Sequence, residues 1–246
     1  KAGWDDSGPA PINLWISGTA TMAVWGNFTS YIKADNKVYA VWKNDKWQLG
    51  RWTTTDSLEV WLVDITNLWE KKPVSIVNGL DHSIILDDRG SAYSYWNSAN
   101  WMLARSWDNT IPALVDNWVL MNTQLTDISA WNWFSMFLTT TGQVFSVWEN
   151  TAWQLCNDTT TNQTFPVSVN TEAWGTKKIK KIYSSIYGTT FFVDQNNDIY
   201  GCWTNANGEL WVTGQQLKPI LLDSTDLWDG KYIKSIDPAS WAIVAG

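Results

Sequence analysis

The 246-residue chain has one histidine, two cysteines and 17 basic residues, and each shortage removes a class of function. A single imidazole and two thiols cannot assemble the usual zinc sets. No Ser-His-Asp or Cys-His arrangement stands out, and no glycine-rich phosphate loop appears. Two cysteines do not make the disulfide framework of a small secreted domain. Cys156 and Cys202 fall at different positions of neighbouring sequence units and are expected to stay unpaired. No apolar run approaches the ~20 residues of a membrane-spanning helix. Acidic residues number 24, for a net charge of −7, which argues against nucleic acid or an anionic membrane, since both favour basic patches. The one lysine-dense stretch, GTKKIKKI (Gly175 to Ile182), reads as the solvated rim of a strand.

Helical periodicity is also missing, and what replaces it is a repeat. Trp42, Trp96, Trp148 and Trp203 each end an aromatic stretch and lie 54, 52 and 55 residues apart. Five residues beyond them stand Trp47, Trp101, Trp153 and Gly208, and two further on Leu49, Leu103, Leu155 and Leu210. Upstream, each unit carries a turn: ADNKVY, DDRGSAY, TTTGQVF or QNNDIY. Ahead of the turn is a short stretch ending near a small polar residue: GNFTSYI, LDHSIIL, NWFSMFL or YGTTFFV. Each unit closes on LEVWLV, IPALVD, FPVSVN or KPILLD. Short alternating stretches rich in β-branched and aromatic residues, separated by turn chemistry, are strands. Four antiparallel strands per unit of about 50 residues predict an all-β protein, a β-propeller.

The ends suggest how such a ring closes. Gly3 and Gly8 in AGWDDSG have the spacing of Trp42 and Trp47, and IKSIDPASWAIVAG (Ile233 to Gly246) matches the opening strands of a unit. The expectation is therefore one domain over 1–246, with repeats at approximately 22–73, 74–126, 127–179 and 180–231. A fifth blade is split between 1–21 and 232–246. The alternative is part of a seven-bladed ring. The chain opens at a lysine without a signal peptide and reads as a processed form or an excised domain. Its compartment is unknown, with a secreted or cell-surface location favoured by abundant Asn, Thr and Ser and by sequons at Asn27, Asn157 and Asn162.

The stretches VYAVWKNDKWQLG and IVNGLDHSIILDDRGSAYSYWNSANWML resemble the regulator of chromosome condensation repeat family. Its order is I-x-x-G-x-x-H-S, then L-x-x-x-G-x-V-Y-x-x-G-x-N-x-x-G-Q-L-G. The likeness runs over nearly the whole chain and implies a propeller, usually of seven blades. Function is less constrained, because that family includes nucleotide exchange factors, enzyme inhibitors, light sensors and scaffolds.

On this alignment, family glycines are tryptophan here. Trp42, Trp96, Trp148 and Trp203 take one glycine, Trp47, Trp101 and Trp153 a second, Trp211 the place of Gly50, and Trp25 and Trp131 the place of Gly79. The chain has 21 tryptophans against 15 glycines. Such glycines serve positive φ or close backbone approach. A Cβ at a left-handed position costs ~1–2 kcal/mol, so ten would consume about the whole ~5–15 kcal/mol of folding stability. Three explanations stand open: an exposed aromatic belt, indoles filling blade interfaces at negative φ, or a codon, UGA, translated as tryptophan where the source reads glycine. Under all three, the positions ask for glycine.

His82 reads as a satisfied structural imidazole. DQNNDIY (Asp194 to Tyr200) alternates acids as calcium loops do, but lacks the glycine and distal glutamate and reads as a β-turn. Asp5/Asp6 and Asp87/Asp88 read as turn residues. No catalytic, metal-ligating, cofactor-binding or ligand-binding residue is assigned. The chain is expected to be a non-enzymatic, cofactor-free module that binds another protein, one with a basic patch, through a loop face. The alternatives are a five-bladed sugar-binding propeller using WKND, WNSA, WENT and WTNA, and a guanine nucleotide exchange factor.

Overall fold

The computed structural model describes residues 21–25, 28–80, 82–96, 110–115, 119–120, 123–184, 189–203, 216–222, 233–237 and 242–245. Four four-stranded antiparallel sheets follow one another along the chain, each a simple meander. The first holds β1 (Thr21–Trp25), β2 (Phe28–Ile32), β3 (Val38–Trp42) and β4 (Ser57–Leu62); the second β5 (Pro73–Asn78), β6 (His82–Asp87), β7 (Ala92–Trp96) and β8 (Ala113–Leu114). The third holds β9 (Leu125–Trp131), β10 (Phe134–Thr139), β11 (Val144–Trp148) and β12 (Gln163–Ser168); the fourth β13 (Ile179–Ser184), β14 (Thr190–Asp194), β15 (Ile199–Trp203) and β16 (Gln216–Leu222). A further pair, β17 (Ile233–Asp237) and β18 (Ala242–Ala245), follows. This is the expected all-β propeller architecture. The opening strands β1, β5 and β9 each pack on the next sheet's opening strand, which places them innermost.

The core lies between the sheets. Ile32, Val38, Leu49, Val63 and Leu68 of the first repeat pack on Ile76, Ile85, Tyr93 and Tyr95 of the second. Equivalent clusters join the second repeat to the third around Phe137 and Val147, and the third to the fourth around Met136, Trp174 and Phe192. The second strand of each blade is therefore covered on both faces. FTSYI, HSIILD, FSMFLT and TFFVD are buried at every residue, their small hydroxyls fitting where sheets approach. Alternation of polar and apolar residues fails there because no face meets water.

A meander of this kind puts the first and third turns of each blade at one end and the β2–β3-type hairpins and blade linkers at the other. The hairpin position with positive φ is Asn36, Gly90, Gly142 and Asn197 in successive repeats, residues that tolerate the left-handed region.

Candidate interaction face

Long loops at 43–56 and 149–162 project from the end that carries the third turns, and both are built around one buried asparagine. Asn44 accepts the Leu49 N–H on Oδ1 at 2.9 Å and donates Nδ2 to the carbonyls of Thr53 (2.6 Å) and Thr55 (3.2 Å). Asn150 accepts the Leu155 N–H at 3.0 Å and donates to the Thr159 carbonyl at 2.7 Å. The backbone N–H of Asn44 reaches Asp56, and that of Asn150 reaches Asn162, each at 2.8 Å. Gln48 and Gln154 follow suit, their side-chain carbonyls accepting the N–H of Lys46 and Ala152. The motif W-x-N-x-x-W-Q-L is thus a self-contained loop brace that seats Leu49 and Leu155 in the core. Its outer residues are exposed: Asp45, Lys46, Trp52 and Thr53 to Asp56 in the first loop, Thr151 and Asp158 to Asn162 in the third. Arg51 stacks over Trp61 with its guanidinium 4.3 Å from the ring.

The tryptophans divide by backbone. Trp42 and Trp148 have φ of 91° and 92°, and Trp47 and Trp153 of 65° and 63°. The first two follow a register irregularity between the third and fourth strands, where a bulge needs glycine-like freedom. Trp131 is absent from the positive-φ residues and packs half-buried on the third cluster, as the interface-filling explanation expects. Trp69, which the motif alignment did not single out, has φ 58° and is 88% exposed. Aligning the blade linkers DITNLWEKK and NTEAWGTKK would have found it, opposite Gly175. Trp25, Trp96 and Trp203 end described strands, with their side chains outside the described residues, as are Trp101, Gly208 and Trp211 altogether.

The unpaired reading of the cysteines is overturned: Cys156 and Cys202 form a disulfide between the third and fourth blades, with Cα atoms 5.8 Å apart. Different repeat positions do not keep them apart, because the end of one loop brace packs on the third strand of the next blade. The equivalent pair one step earlier is Gly50 and Tyr95. A Cβ on Gly50 would stand 2.5 Å from Val63 Cγ1 and 3.0 Å from the Tyr95 ring, so glycine makes room there for the valine and the tyrosine, and two cysteines take the equivalent places here.

At the opposite end, the hairpin of alternate blades is tied to the preceding linker. The carboxylate of Asp87 accepts the backbone N–H groups of Arg89 and Ser91 and the Tyr93 hydroxyl. Lys71 donates to that hydroxyl at 2.9 Å and stands 3.4 Å from the carboxylate. Lys177, Tyr200 and Asp194 repeat the arrangement, with Asp198 added at 2.7 Å. These contacts raise the pKa of both lysines, through the Tyr93 hydroxyl for Lys71 and chiefly the Asp198 carboxylate for Lys177. DQNNDIY is accordingly a turn organised by Asp194, and no cluster able to hold a metal occurs among the described residues. Lys177, Lys178, Lys180 and Lys181 are exposed, as the rim reading expects.

His82 opens β6, the second strand of its sheet. It is fully buried with Nε2 2.7 Å from Ser135 Oγ of the next blade, and its Nδ1 has no partner, so the imidazole is structural but half-satisfied. Burial lowers its pKa to about 4. Asp5 and Asp6 lie outside the described residues.

Solved structures share this arrangement. Human WBSCR16 superposes with a TM-score of 0.72 at 14% identity, over 87% of this chain and 55% of its own. Prp20p from Saccharomyces cerevisiae, described with its binding to Gsp1p and histones, gives 0.68 at 16%, over 87% of this chain and 52% of its own. The same yeast protein bound to Kap60 gives 0.67 at 16% identity, over 87% and 50%. The chain has a propeller fold of the regulator of chromosome condensation type. It spans about half the length of the structures it matches. No family model and no curated protein sequence matches it.

Proposed function

We propose that this propeller is a non-enzymatic module that binds another protein through the face carrying the 43–56 and 149–162 loops. The observation that carries the reading is the brace. Asn44 and Asn150 are wholly buried and spend their polar atoms on their own loops, which leaves rigid, exposed outer segments on a scaffold, the usual setting of a recognition surface. The net charge of −7 suits a partner with a basic patch. Prp20p, of the same fold, binds Gsp1p and histones, and Kap60.

The same buried asparagines weigh against sugar binding, which needs them paired with exposed indoles. Nucleotide exchange is the lesser reading, resting on fold analogy alone. As to architecture, we take residues 1–246 as one five-bladed domain with the split blade at 1–21 and 232–246. In support, β17–β18 shows a register shift between Ile233 and Ser235 at the place where β13–β14 shifts between Ile179 and Lys181. Met22 and Val24 of β1 are 54% and 62% exposed, whereas their counterparts Ile76, Asn78, Ile128, Ile182 and Ser184 are buried against a neighbouring blade.

The test is affinity capture from the source organism with three proteins: the unaltered chain, one with Asp45, Lys46 and Thr151 changed to alanine, and one with Asp88 and Arg89 of the opposite hairpin changed. A partner lost with the first variant and kept with the second is expected. Equal retention by both, or capture of glycans alone, would overturn the reading.

A further inference from the structure

We infer that the functional polypeptide carries glycine at positions 42, 47, 69, 148 and 153. Trp42, Trp47, Trp69, Trp148 and Trp153 all have φ between 58° and 92°, a region that L side chains rarely adopt and a bulky aromatic least of all. Among the described residues, the other positive-φ residues that are not glycine are Asn36, Asn132, Cys156, Asp158 and Asn197, four of them the Asn and Asp that tolerate this conformation.

The repeat supplies an internal control. Trp69 and Gly175 occupy the same linker position, and φ is 58° at both. Space is open around Gly175, so the demand for glycine there comes from the backbone and not from crowding. Trp47 and Trp153 align with Gly208, where the fourth repeat keeps the glycine. The indole Nε1 of Trp153 is buried without a hydrogen-bond partner, an arrangement that native tryptophans avoid. Trp174 is the counter-example: it is 4% exposed, packs 5.1 Å from Phe192 and 5.3 Å from Tyr200, and lies at the position of the fully buried Leu68. That site wants a large apolar side chain.

One cause acts on the five positions and spares the sixth. UGA is read as tryptophan under one genetic code and as glycine under another, whereas UGG is tryptophan in both. The substitution also bears on recognition. With glycine at these five positions, Trp52 is the one indole left on the two braced loops, and an aromatic belt repeated from blade to blade, as sugar stacking requires, is absent from them.

The gene and the protein from its own source decide the matter together. The codons at 42, 47, 69, 148 and 153 are expected to be UGA and that at 174 UGG, and peptide sequencing by mass spectrometry is expected to read glycine at the five and tryptophan at Trp174. UGG codons throughout, or tryptophan at the five positions in the native peptide, would overturn the inference. As an independent measurement, the recombinant chain with all five changed to glycine should unfold at a higher temperature than the chain with tryptophan. A lower unfolding temperature would count equally against it.

Discussion

Burial keeps the His82 imidazole neutral down to a pKa of about 4, against an ordinary value of 6.5. The unfolded chain takes up that proton as pH falls through 6.5, while the folded chain does not until about pH 4. The contribution is therefore complete above pH 6.5 and lost progressively down to pH 4, by about 3 kcal/mol. Urea denaturation at several pH values in that window should show the loss, and the loss should shrink in His82→Phe, since Phe28 and Phe134 hold the same register in two other repeats. An unchanged slope in the variant would mean that other groups set the acid sensitivity. Asn150→Ala should cost about 1–3 kcal/mol, because the buried Leu155 N–H loses its acceptor. Denaturant titration would read the cost, and faster proteolysis within 151–162 would locate it. The role of that asparagine was legible in the W-x-N-x-x-W-Q-L spacing only as a recurrence. What it binds is its own loop, and sequence spacing does not show which carbonyls return to it.

Strands and hairpins were readable one by one. VYAVW and VFSVW alternate, and the turns ahead of them carry Asn or Gly at the single position with positive φ, so both elements follow from local chemistry. The covering of β2, β6, β10 and β14 on both faces did not follow, because it depends on the neighbouring sheet. The Cys156–Cys202 bond was missed for the same reason: it joins elements of two repeats that meet only after blades stack. Closing a loop of 46 residues should contribute about 4 kcal/mol. Reduction, or Cys202→Ser, should lower the denaturation midpoint accordingly, with thiol titration to confirm the break. The double change Cys156→Gly with Cys202→Tyr recreates the Gly50–Tyr95 pair of the earlier interface and should recover part of the loss. No recovery would show that the bond, and not the filling of the gap, holds that interface.

At the scale of the whole molecule, stability comes from blade-to-blade clusters, so an uncovered blade face is a liability. If β17–β18 and the N-terminal segment complete a ring, removing 233–246 should lower the unfolding temperature and increase binding of a hydrophobic dye at the Met22 and Val24 face. Identical behaviour of the two forms would argue for a face covered by other means.

Sequence alone determined the repeat, the strand class and ten positions where tryptophan stands in place of a repeat glycine, since periodicity and turn chemistry are local properties that survive without coordinates. Tertiary structure decided which of those positions are left-handed, separating Trp42, Trp47, Trp148 and Trp153 from the packed Trp131, and it added Trp69, which the alignment had not singled out. It also decided which thiols meet and where asparagine amides are spent. Dihedral angles and inter-blade contacts exist only once the sheets are stacked, and residues some 50 positions apart in the chain become neighbours only there.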